Sequence, residues 1–474
     1  MPLQGIEVVD VAGKGRGLCA TQEYRTGQVV IRSRPYEHVI FNEQADKVCH
    51  HCVRQPISKG PTHTPPPLLK CGSCKFARYC NKDCQKAAWE AHKPECAAIK
   101  RVFPNKASDQ TRLVARLFWR KQRVAENKIQ EDLPILVEEL ESHVKQRTKE
   151  EKEQLDNRVF SFGDYVTYEA MPESDEVIYQ WFGAVDCNAI SLNDQRGLSV
   201  VGVGIFLDVA LLNHDCNPNC VAVNNGAKVE VRSLRPIKPQ EELCISYIDP
   251  IDTTPGRQEK LKNQYYFDCK CEECENGSER EAMKSALLDE NILKEKPEAE
   301  NYIIKMSTEA LKRMENTKKS RNFERLYNQA LGALKQQDSV IADSHVLKIA
   351  VLNQCVEVSS FLRRPDDSCM YARRVADAYE KILPAIHPVL GMYLMRLGVL
   401  QWQTQMKEAF ETLGRAAGII SKTHGDGHPL FLDIVDLMRQ CHHEMQMSPE
   451  VQTKMKAVRK EANLGIGKVG LPSN

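Results

Sequence analysis

The sequence has little excess of either charge and no long hydrophobic run. Its 65 lysines and arginines are matched by 64 aspartates and glutamates, which leaves a formal net charge of +1. This balance excludes a protein whose whole surface contacts nucleic acid, although a local basic patch is still compatible with it. Since no stretch reaches the roughly 20 apolar residues that cross a bilayer, we expect no contact with a membrane.

The amino-terminal stretch MPLQGIEVVDVAGKGRG lacks the features of a secretory signal. Such a signal has a basic start, a continuous apolar segment and a cleavage site of small residues. We therefore expect a soluble, intracellular protein whose thiols stay reduced. In that setting its 18 cysteines are predicted to bind metal rather than to form disulfides.

Four closely spaced pairs of metal-ligand residues lie between positions 49 and 96. Together they contain seven Cys and one His, and two or three residues separate the members of each pair. That spacing lets a pair reach one tetrahedral Zn²⁺, so eight ligands make two closed structural sites without a position for substrate. Spacing leaves open how the pairs combine. The predicted ligands are Cys49, Cys52, Cys71, Cys74, Cys80, Cys84, His92 and Cys96.

Basic residues are in excess around these pairs. Positions 70 to 106 contain nine Lys or Arg against three Asp or Glu. Weak DNA binding is one interpretation of this excess. The interpretation that we favour is local neutralisation of the thiolates around a metal ion.

A third cysteine cluster, CKCEEC, occupies positions 269–274. It supplies three thiolates, and a closed zinc site requires a fourth ligand. The segment NHDCNPNC, positions 213–220, contains two candidates, and a third lies further along the chain. Spacing does not choose among them. The three thiolates are Cys269, Cys271 and Cys274, and the candidates for the fourth are Cys216, Cys220 and Cys244.

Short strand-like segments separated by turn signals predict a fold of small β-sheets. They are IEVVDV near the start, QVVIRS at 28–33, KVEVRSL at 228–234 and ELCISYI ending at Ile248. Helical patterns rich in Glu, Lys and Leu lie between them, notably over 107–157.

Helical periodicity continues beyond residue 280, with a weak repeat marked by three histidines. His345, His387 and His428 are spaced by 42 and 41 residues. The pattern predicts stacked helix pairs similar to tetratricopeptide repeats, although their usual period is about 34 residues. Because the histidines fall on different repeats, we expect them to cap helices or to pack rather than to bind metal.

The order of the motifs resembles that of a known family. GKGRGL, CNAIS at 187–191, LLNHDCNPNC, EELCISYI and YYFDCKCEEC follow the order of a SET domain interrupted by a MYND zinc finger and closed by a post-SET cluster. The chain is similar to SMYD-type protein-lysine methyltransferases, and most like the muscle-type member. The resemblance implies an α+β fold, in which a SET-type β fold of small sheets is interrupted by the MYND finger and a helical insert and is followed by an all-α, TPR-like helical domain.

The resemblance also implies the domain boundaries. They are an N-terminal SET part at 1–48, the MYND finger at 49–96, a helical insert at 97–180, the SET catalytic core at 181–250, a post-SET zinc cluster at 251–279 and the helical domain at 280–474.

Three zinc ions are implied by the same resemblance. In that family the ligand pairs of the finger interleave, and the cysteine of the N-H-x-C motif completes the post-SET site. The implied ligand sets are Cys49, Cys52, Cys80 and Cys84; Cys71, Cys74, His92 and Cys96; and Cys216, Cys269, Cys271 and Cys274.

A pocket for S-adenosylmethionine (SAM) and a channel for the substrate lysine are implied as well. Tyr247 corresponds to the catalytic residue, whose hydroxyl lies near the transferred methyl group and the amine. Tyr265 and Ile190 are implied to line the channel with it. Many relatives have Phe at the position of Ile190, so the number of methyl groups added stays open. The implied cofactor-binding residues are Lys14, Arg16, His143, Cys187, Asn188, Asn213, His214, Tyr265 and Phe267.

The chemistry of methyl transfer agrees with an aromatic channel. SAM carries a sulfonium cation, and the faces of aromatic rings attract cations. A lysine must arrive uncharged although its ordinary pKa is about 10.4, and desolvation favours loss of the proton. Catalysis is then expected to consist mainly of alignment and electrostatics, without a dedicated general base.

The leading functional hypothesis is therefore a protein-lysine N-methyltransferase that acts on histone tails or other proteins. The resemblance implies roles in transcription and in muscle, a location in nucleus and cytoplasm, Pro-rich partners at the finger and chaperone tails at the helical domain. The alternative is an interaction protein, a corepressor or chaperone adaptor with little catalysis. An intact N-H-x-C motif and Tyr247 favour the enzyme, because a scaffold does not need the tyrosine hydroxyl.

Overall fold

The computed structural model describes most of the chain. The described residues are 4–56, 65–126, 134–172, 174–288, 298–404, 406–447, 451–453 and 455. Within them, strands form four small sheets and helices fill the carboxy-terminal half, which confirms the predicted α+β class.

The strands are short, and several pair with strands far away in the sequence. The sheet orders are β1-β2-β12-β9, β10-β11-β3, β4-β8-β7 and β5-β6. Three of the predicted strands are confirmed, and ELCISYI is confirmed only up to Ile245. The strands are β1 (Ile6–Val11), β2 (Gly15–Ala20), β3 (Val29–Ser33), β4 (Glu37–Ile40), β5 (Leu69–Lys70), β6 (Arg78–Tyr79), β7 (Ile190–Asn193), β8 (Val200–Ile205), β9 (Asn213–His214), β10 (Cys220–Asn225), β11 (Lys228–Ser233) and β12 (Glu242–Ile245).

The glycines of GKGRG form the tight hairpin between β1 and β2. Gly13 and Gly15 have φ values of 75° and 76°, a left-handed conformation that favours glycine. A Cβ at Gly17 would lie 2.7 Å from the Asn213 side-chain nitrogen. The motif therefore lets β2 approach the NHDCNPNC segment closely.

NHDCNPNC itself runs beside β12. Its first two residues, which form β9, pair with β12 in parallel, with Asn213 opposite Cys244 and His214 opposite Ile245. Further on, the Asn219 side chain accepts from the Cys244 backbone N–H at 2.9 Å and donates to the Glu242 carbonyl at 2.7 Å. The amide of Asn219 thus takes the place of a strand partner, which explains why an apolar run leads into polar residues.

The helices divide into a group among the sheets and a carboxy-terminal series. Their bounds are α1 (Lys82–Val102), α2 (Asp109–Ala125), α3 (Lys149–Val166), α4 (Glu176–Asn188), α5 (Thr254–Tyr265), α6 (Glu272–Glu275), α7 (Glu279–Met283), α8 (Ala299–Lys319), α9 (Phe323–Gln337), α10 (Val346–Phe361), α11 (Pro365–Ile382), α12 (Pro388–Gln401), α13 (Met406–Thr423) and α14 (Pro429–Met445).

The helical pattern predicted over 107–157 is wrong in its middle. Described residues 134–148 contain only short 3₁₀ turns. Thr148 and Glu151 form a capping box that begins α3 afresh. The preceding segment passes over α4 so closely that a Cβ at Gly183 would clash with the Ser142 carbonyl. The segment packs closely on α4 instead of forming the expected helix. This packing cannot be inferred from local composition.

The repeat histidines cap helices, as predicted. His345, His387 and His428 precede α10, α12 and α14, and each accepts through Nδ1 from the backbone N–H two residues later, at 3.2, 3.3 and 3.2 Å respectively. The His428 ring also donates through Nε2 to the Asn224 carbonyl of β10, at 2.9 Å. The carboxy-terminal helices therefore contact the sheets directly. Within the described ranges, no helix combines the length and apolar character that a membrane crossing requires.

Candidate active site and metal centres

The eight ligand residues predicted between positions 49 and 96 gather into two clusters. In each cluster the four donor atoms lie within 4.8 Å of one another. The pairs interleave, as the family resemblance implied and as spacing left open. Thiolate and imidazole donors this close fit a tetrahedral ion such as Zn²⁺. The first cluster is Cys49, Cys52, Cys80 and Cys84, and the second is Cys71, Cys74, His92 and Cys96.

A buried ion network joins the second cluster to the sheets. Its centre is the Glu95 carboxylate, which is 1% exposed. It accepts from His92 Nδ1 at 3.4 Å and from Arg112 Nε and Arg116 Nη1, both at 3.0 Å. Arg116 continues to Glu37 of β4 at 3.0 Å. Burial disfavours charge on Glu95, but Arg112 and its other partners outweigh this and hold its pKa well below the ordinary value.

The third cluster uses the first of the three candidates for its fourth ligand. Cys216 lies with Cys269, Cys271 and Cys274, and all four sulfurs are within 4.8 Å of one another. Cys220 and Cys244 lie in β10 and β12 instead. Four largely buried sulfurs form a donor set that suits a closed site for a divalent ion.

Aromatic side chains surround Tyr247, just after β12. Its ring centroid is 4.9 Å from that of Tyr265 and 5.3 Å from that of His214, and the Phe267 ring lies 6.0 Å from His214. The Tyr247 hydroxyl donates to the Leu212 carbonyl at 2.6 Å. Burial, assisted by Tyr265, raises the Tyr247 pKa, so the hydroxyl stays protonated at neutral pH. Because its proton points at Leu212, its remaining lone pairs can accept hydrogen bonds.

His214 connects this aromatic group to the third cluster. Its Nδ1 accepts from the Tyr247 backbone N–H at 3.0 Å, so the neutral ring carries its proton on Nε2. Nε2 lies 3.3 Å from Cys216 Sγ. Burial lowers the His214 pKa to about 4, which keeps the ring neutral.

Charged groups meet at the β2 side of this site. The Asn213 amide donates to the Arg16 carbonyl at 3.2 Å and to Glu242 at 3.0 Å. Lys14 pairs with the same Glu242 at 2.8 Å, and Arg16 pairs with Glu139 at 3.0 Å. Burial disfavours the charge of Lys14, but Glu242 more than offsets it and raises its pKa.

The other predicted cofactor residues continue the same set of contacts. Asn188, the last residue of α4, donates to the Glu141 carbonyl at 2.8 Å. Its neighbour Cys187 lies 3.6 Å from the Gln264 carbonyl. Gln264 directly precedes Tyr265 in the sequence. These contacts link the 139–143 segment, α4 and α5 to the aromatic group.

His143 and Ile190 lie at the margin of this set. His143 has a left-handed backbone with φ of 50°, and its ring stacks on Tyr266 with centroids 5.2 Å apart. It is not the helical residue expected from composition. Ile190 is half-buried at the start of β7, two residues after Asn188.

Two functional-site residues, Glu242 and Glu139, were not predicted from the sequence. They hold Lys14, Asn213 and Arg16 in place. Nothing in the local sequence separates them from the neighbouring acidic residues, because their partners are far away in the chain.

The arrangement suits a ligand that carries both a carboxylate and a cationic centre. Lys14 and Arg16 lie at one side, each paired with a glutamate that a bound carboxylate would have to replace or share, and the Tyr247, Tyr265 and Phe267 rings supply aromatic faces at the other. SAM has an amino acid end and a sulfonium, and these residues fit both.

Comparisons with known proteins find one family model and several relatives of this chain. The family model described as SET domain matches residues 15–248. Histone-lysine N-methyltransferase Smyd1 of Mus musculus is 34% identical, over 94% of this chain and 91% of its own length. N-lysine methyltransferase SMYD2 of Homo sapiens is 29% identical, over 91% of this chain and 97% of its own length. Histone-lysine N-methyltransferase SMYD3 of Homo sapiens is 28% identical, over 94% of this chain and 99% of its own length.

The chain is therefore a SET-domain protein. It belongs to the SMYD family of protein-lysine methyltransferases, because the similarity extends along nearly the whole length of both partners.

Proposed function

We propose that this protein transfers a methyl group from SAM to a lysine side chain of a histone or another protein, with Tyr247 as the catalytic residue. The observation that carries the proposal is the fixed Tyr247 hydroxyl, which is buried among aromatic rings and donates to Leu212 at 2.6 Å. Because its proton is donated to Leu212, the hydroxyl oxygen is available only as a hydrogen-bond acceptor.

When bound, SAM would supply an electrophilic methyl group on its sulfonium. An uncharged lysine amine would form the new N–C bond as the S–C bond breaks, which leaves a neutral thioether on the spent cofactor and a methylated ammonium that releases a proton to water. The residues of the chain bind the cofactor, orient the lysine amine towards the methyl group and remove water from the amine. Lys14 and Arg16 offer positive charge to a carboxylate, and Asn213 and His214 fix the strand beside it. Tyr247 and Tyr265 enclose the amine in a poorly hydrated channel, where its pKa falls.

The remaining cofactor assignments are part of the proposal. We assign His143, Cys187, Asn188 and Phe267 to the SAM pocket and Ile190 to the lysine channel. The contacts of Asn188 with Glu141 and of Cys187 with Gln264 support a common pocket.

We further propose that the three clusters hold three zinc ions in closed structural sites. The domain boundaries are proposed as the family resemblance implies them. Pro-rich partners are proposed at the finger, where Trp89 and Leu69 are 38% and 43% exposed. Chaperone tails at the helical domain, a location in nucleus and cytoplasm and roles in transcription and muscle rest on the resemblance alone.

Methyl transfer from radiolabelled SAM to histones and muscle extract tests the proposal. We expect Tyr247→Phe to lose about 10²- to 10³-fold in rate, comparable to the removal of one catalytic hydrogen-bonding group. Tyr302→Phe is the matched control, because that tyrosine is 60% exposed in α8. SAM binding measured by calorimetry should be retained in both variants.

Two outcomes would contradict the proposal. If Tyr247→Phe transfers label as fast as the native protein, Tyr247 is not the catalytic residue. If the native protein binds SAM but labels no protein, the interaction hypothesis replaces the enzymatic one.

A further inference from the structure

Arg257 of α5 is a fully buried arginine beside the third cysteine cluster. Its Nε donates to Cys216 Sγ at 3.2 Å, and Nη2 lies 3.9 Å from Cys274 Sγ. The rest of the guanidinium is also engaged. Nη1 donates to the Asp252 carbonyl at 2.6 Å and to Glu281 at 2.7 Å, and Nη2 donates to the Thr254 hydroxyl at 2.9 Å.

The two buried cations Arg257 and Lys284 outnumber the carboxylate that pairs with both of them unless the sulfurs carry negative charge. Arg257 and Lys284 are two cations with side chains 0% and 5% exposed, and both pair with the single carboxylate of Glu281. Burying a cation without a counter-charge is unfavourable. Four thiolates around a divalent ion leave about two net negative charges, which compensate the second cation.

The same guanidinium holds the loop that follows the catalytic segment. Residues 249–253 connect the stretch containing Tyr247 to α5. Arg257 and Lys284 both donate to the Asp252 carbonyl, at 2.6 and 3.2 Å. Ile251, in the middle of the loop, packs against the core of the carboxy-terminal helices. The metal cluster, this loop and the helical region therefore meet at one side chain.

We propose that Arg257 is an outer-sphere partner of the third metal centre, whose N–H groups hold the metal-bound sulfurs of Cys216 and Cys274 and fix the 249–253 loop to them. Cys216 receives a second N–H from His214, which contacts Tyr247. Arg257 is thus a positioning residue that connects the metal to the active site. The inference rests on the proposed zinc occupancy of this cluster.

Cadmium NMR of the full chain, with cadmium in place of zinc, tests this role. We expect three resonances from the unaltered protein, two from all-sulfur sites and one from the site with a histidine. Arg257→Met should move one all-sulfur resonance and leave the other two in place, because N–H donors withdraw charge from the sulfur. It should also lower metal affinity at that centre by about 10- to 100-fold, measured by competition with a chelator.

Two further variants separate this role from general destabilisation. Arg257→Lys keeps the positive charge but lacks the planar, fixed arrangement of N–H donors of the guanidinium. We expect it to displace the same resonance less than Arg257→Met does. Arg374→Met is the control, because Arg374 pairs with Asp338 and Asp343 in the helical region. It should move no resonance.

The possible results are distinguishable. Fewer than three resonances from the unaltered protein contradict the three-zinc part of the proposed function. Three resonances that stay in place in both Arg257 variants overturn the role of Arg257. If neither variant folds, the unaltered protein provides the test. Scalar coupling between the metal and the Arg257 Nε proton supports the proposal, and its absence overturns it.

Discussion

In the carboxy-terminal helices, most buried side chains belong to a large apolar cluster of Leu, Ile, Val, Ala, Tyr, Met and Cys. Around Tyr247, the buried apolar cluster consists of cysteines and one leucine with aromatic rings packed against them, and the buried polar residues His214 and Arg257 lie beside it. Packing therefore dominates in the helical region, whereas around Tyr247 the side chains are joined by hydrogen bonds and by a cysteine cluster that is suited to a metal ion. A change that unfolds one region therefore need not unfold the other.

Removal of the metal ions should separate the two regions most strongly. Structural zinc contributes about 10 to 16 kcal/mol of apparent binding free energy in zinc-finger peptides. After chelation we expect hydrogen exchange to accelerate in α1, β9 and the 269–274 segment, and SAM binding to be lost. The helices from α9 to α14 should keep their protection, since they contain none of the three metal clusters found in the described residues.

An equal loss of protection in both regions would contradict this comparison. It would mean that the contacts of His428 with Asn224 and of Arg196 with Asp433 make the chain one cooperative unit.

Removal of the Glu95 charge should have the next largest effect. Glu95→Gln leaves Arg112 and Arg116 buried with one carboxylate fewer, and breaking a buried ion pair costs about 3 to 5 kcal/mol. This loss in the free energy of unfolding is measured by denaturant unfolding, followed with probes placed in the finger. Glu90→Gln, an exposed glutamate on the same helix, is the control and should be nearly neutral. Equal effects of the two changes would show that the network does not stabilise the second cluster.

The sequence and the family resemblance predicted the three clusters of ligand residues better than the groups that surround them. Cysteine pairs at fixed spacing are a local signal, and the family resemblance supplied both their interleaving and the role of Cys216. Glu95, Arg112 and Arg257 were not predicted. Each is a charged residue in a charged helical stretch, for which exposure is the default, and each becomes buried only through partners distant in the sequence.

In the fold, too, local features were predicted and features that depend on distant contacts were not. Short strands such as β11 were predictable from alternation, and the helix-capping histidines were predictable from their repeat. The two-residue strand β9 has no periodicity of its own, and its parallel pairing with β12 depends on long-range geometry. The 134–148 segment was misassigned because its composition favours helix while its path is set by close contact with Gly183.

A cavity in the helical core should destabilise that region without affecting the metal centres. Leu413 is fully buried in α13. Leu413→Ala should cost about 2 to 5 kcal/mol in the free energy of unfolding, since a buried leucine leaves both lost contacts and a void. Leu432→Ala is the control, because that leucine is 50% exposed. Metal content measured after purification should be unchanged in both variants, and loss of metal from Leu413→Ala would contradict the separation of the two regions.

The smallest expected effect concerns the capping histidines and depends on pH. Burial lowers the pKa of His387 to about 4, below its ordinary value of about 6.5. The unfolded chain therefore binds a proton between these values that the folded chain does not, so stability falls as pH decreases from about 6.5 towards 4. Protonation would also remove the Nδ1 acceptor that caps α12.

His387→Ala should lose about 1 kcal/mol in the free energy of unfolding at neutral pH, as for other lost caps. His387→Asn should retain most of the cap and, since it does not titrate, show a flatter pH dependence. If the Asn variant keeps the pH slope of the native protein, other groups account for the acid sensitivity of the helical region.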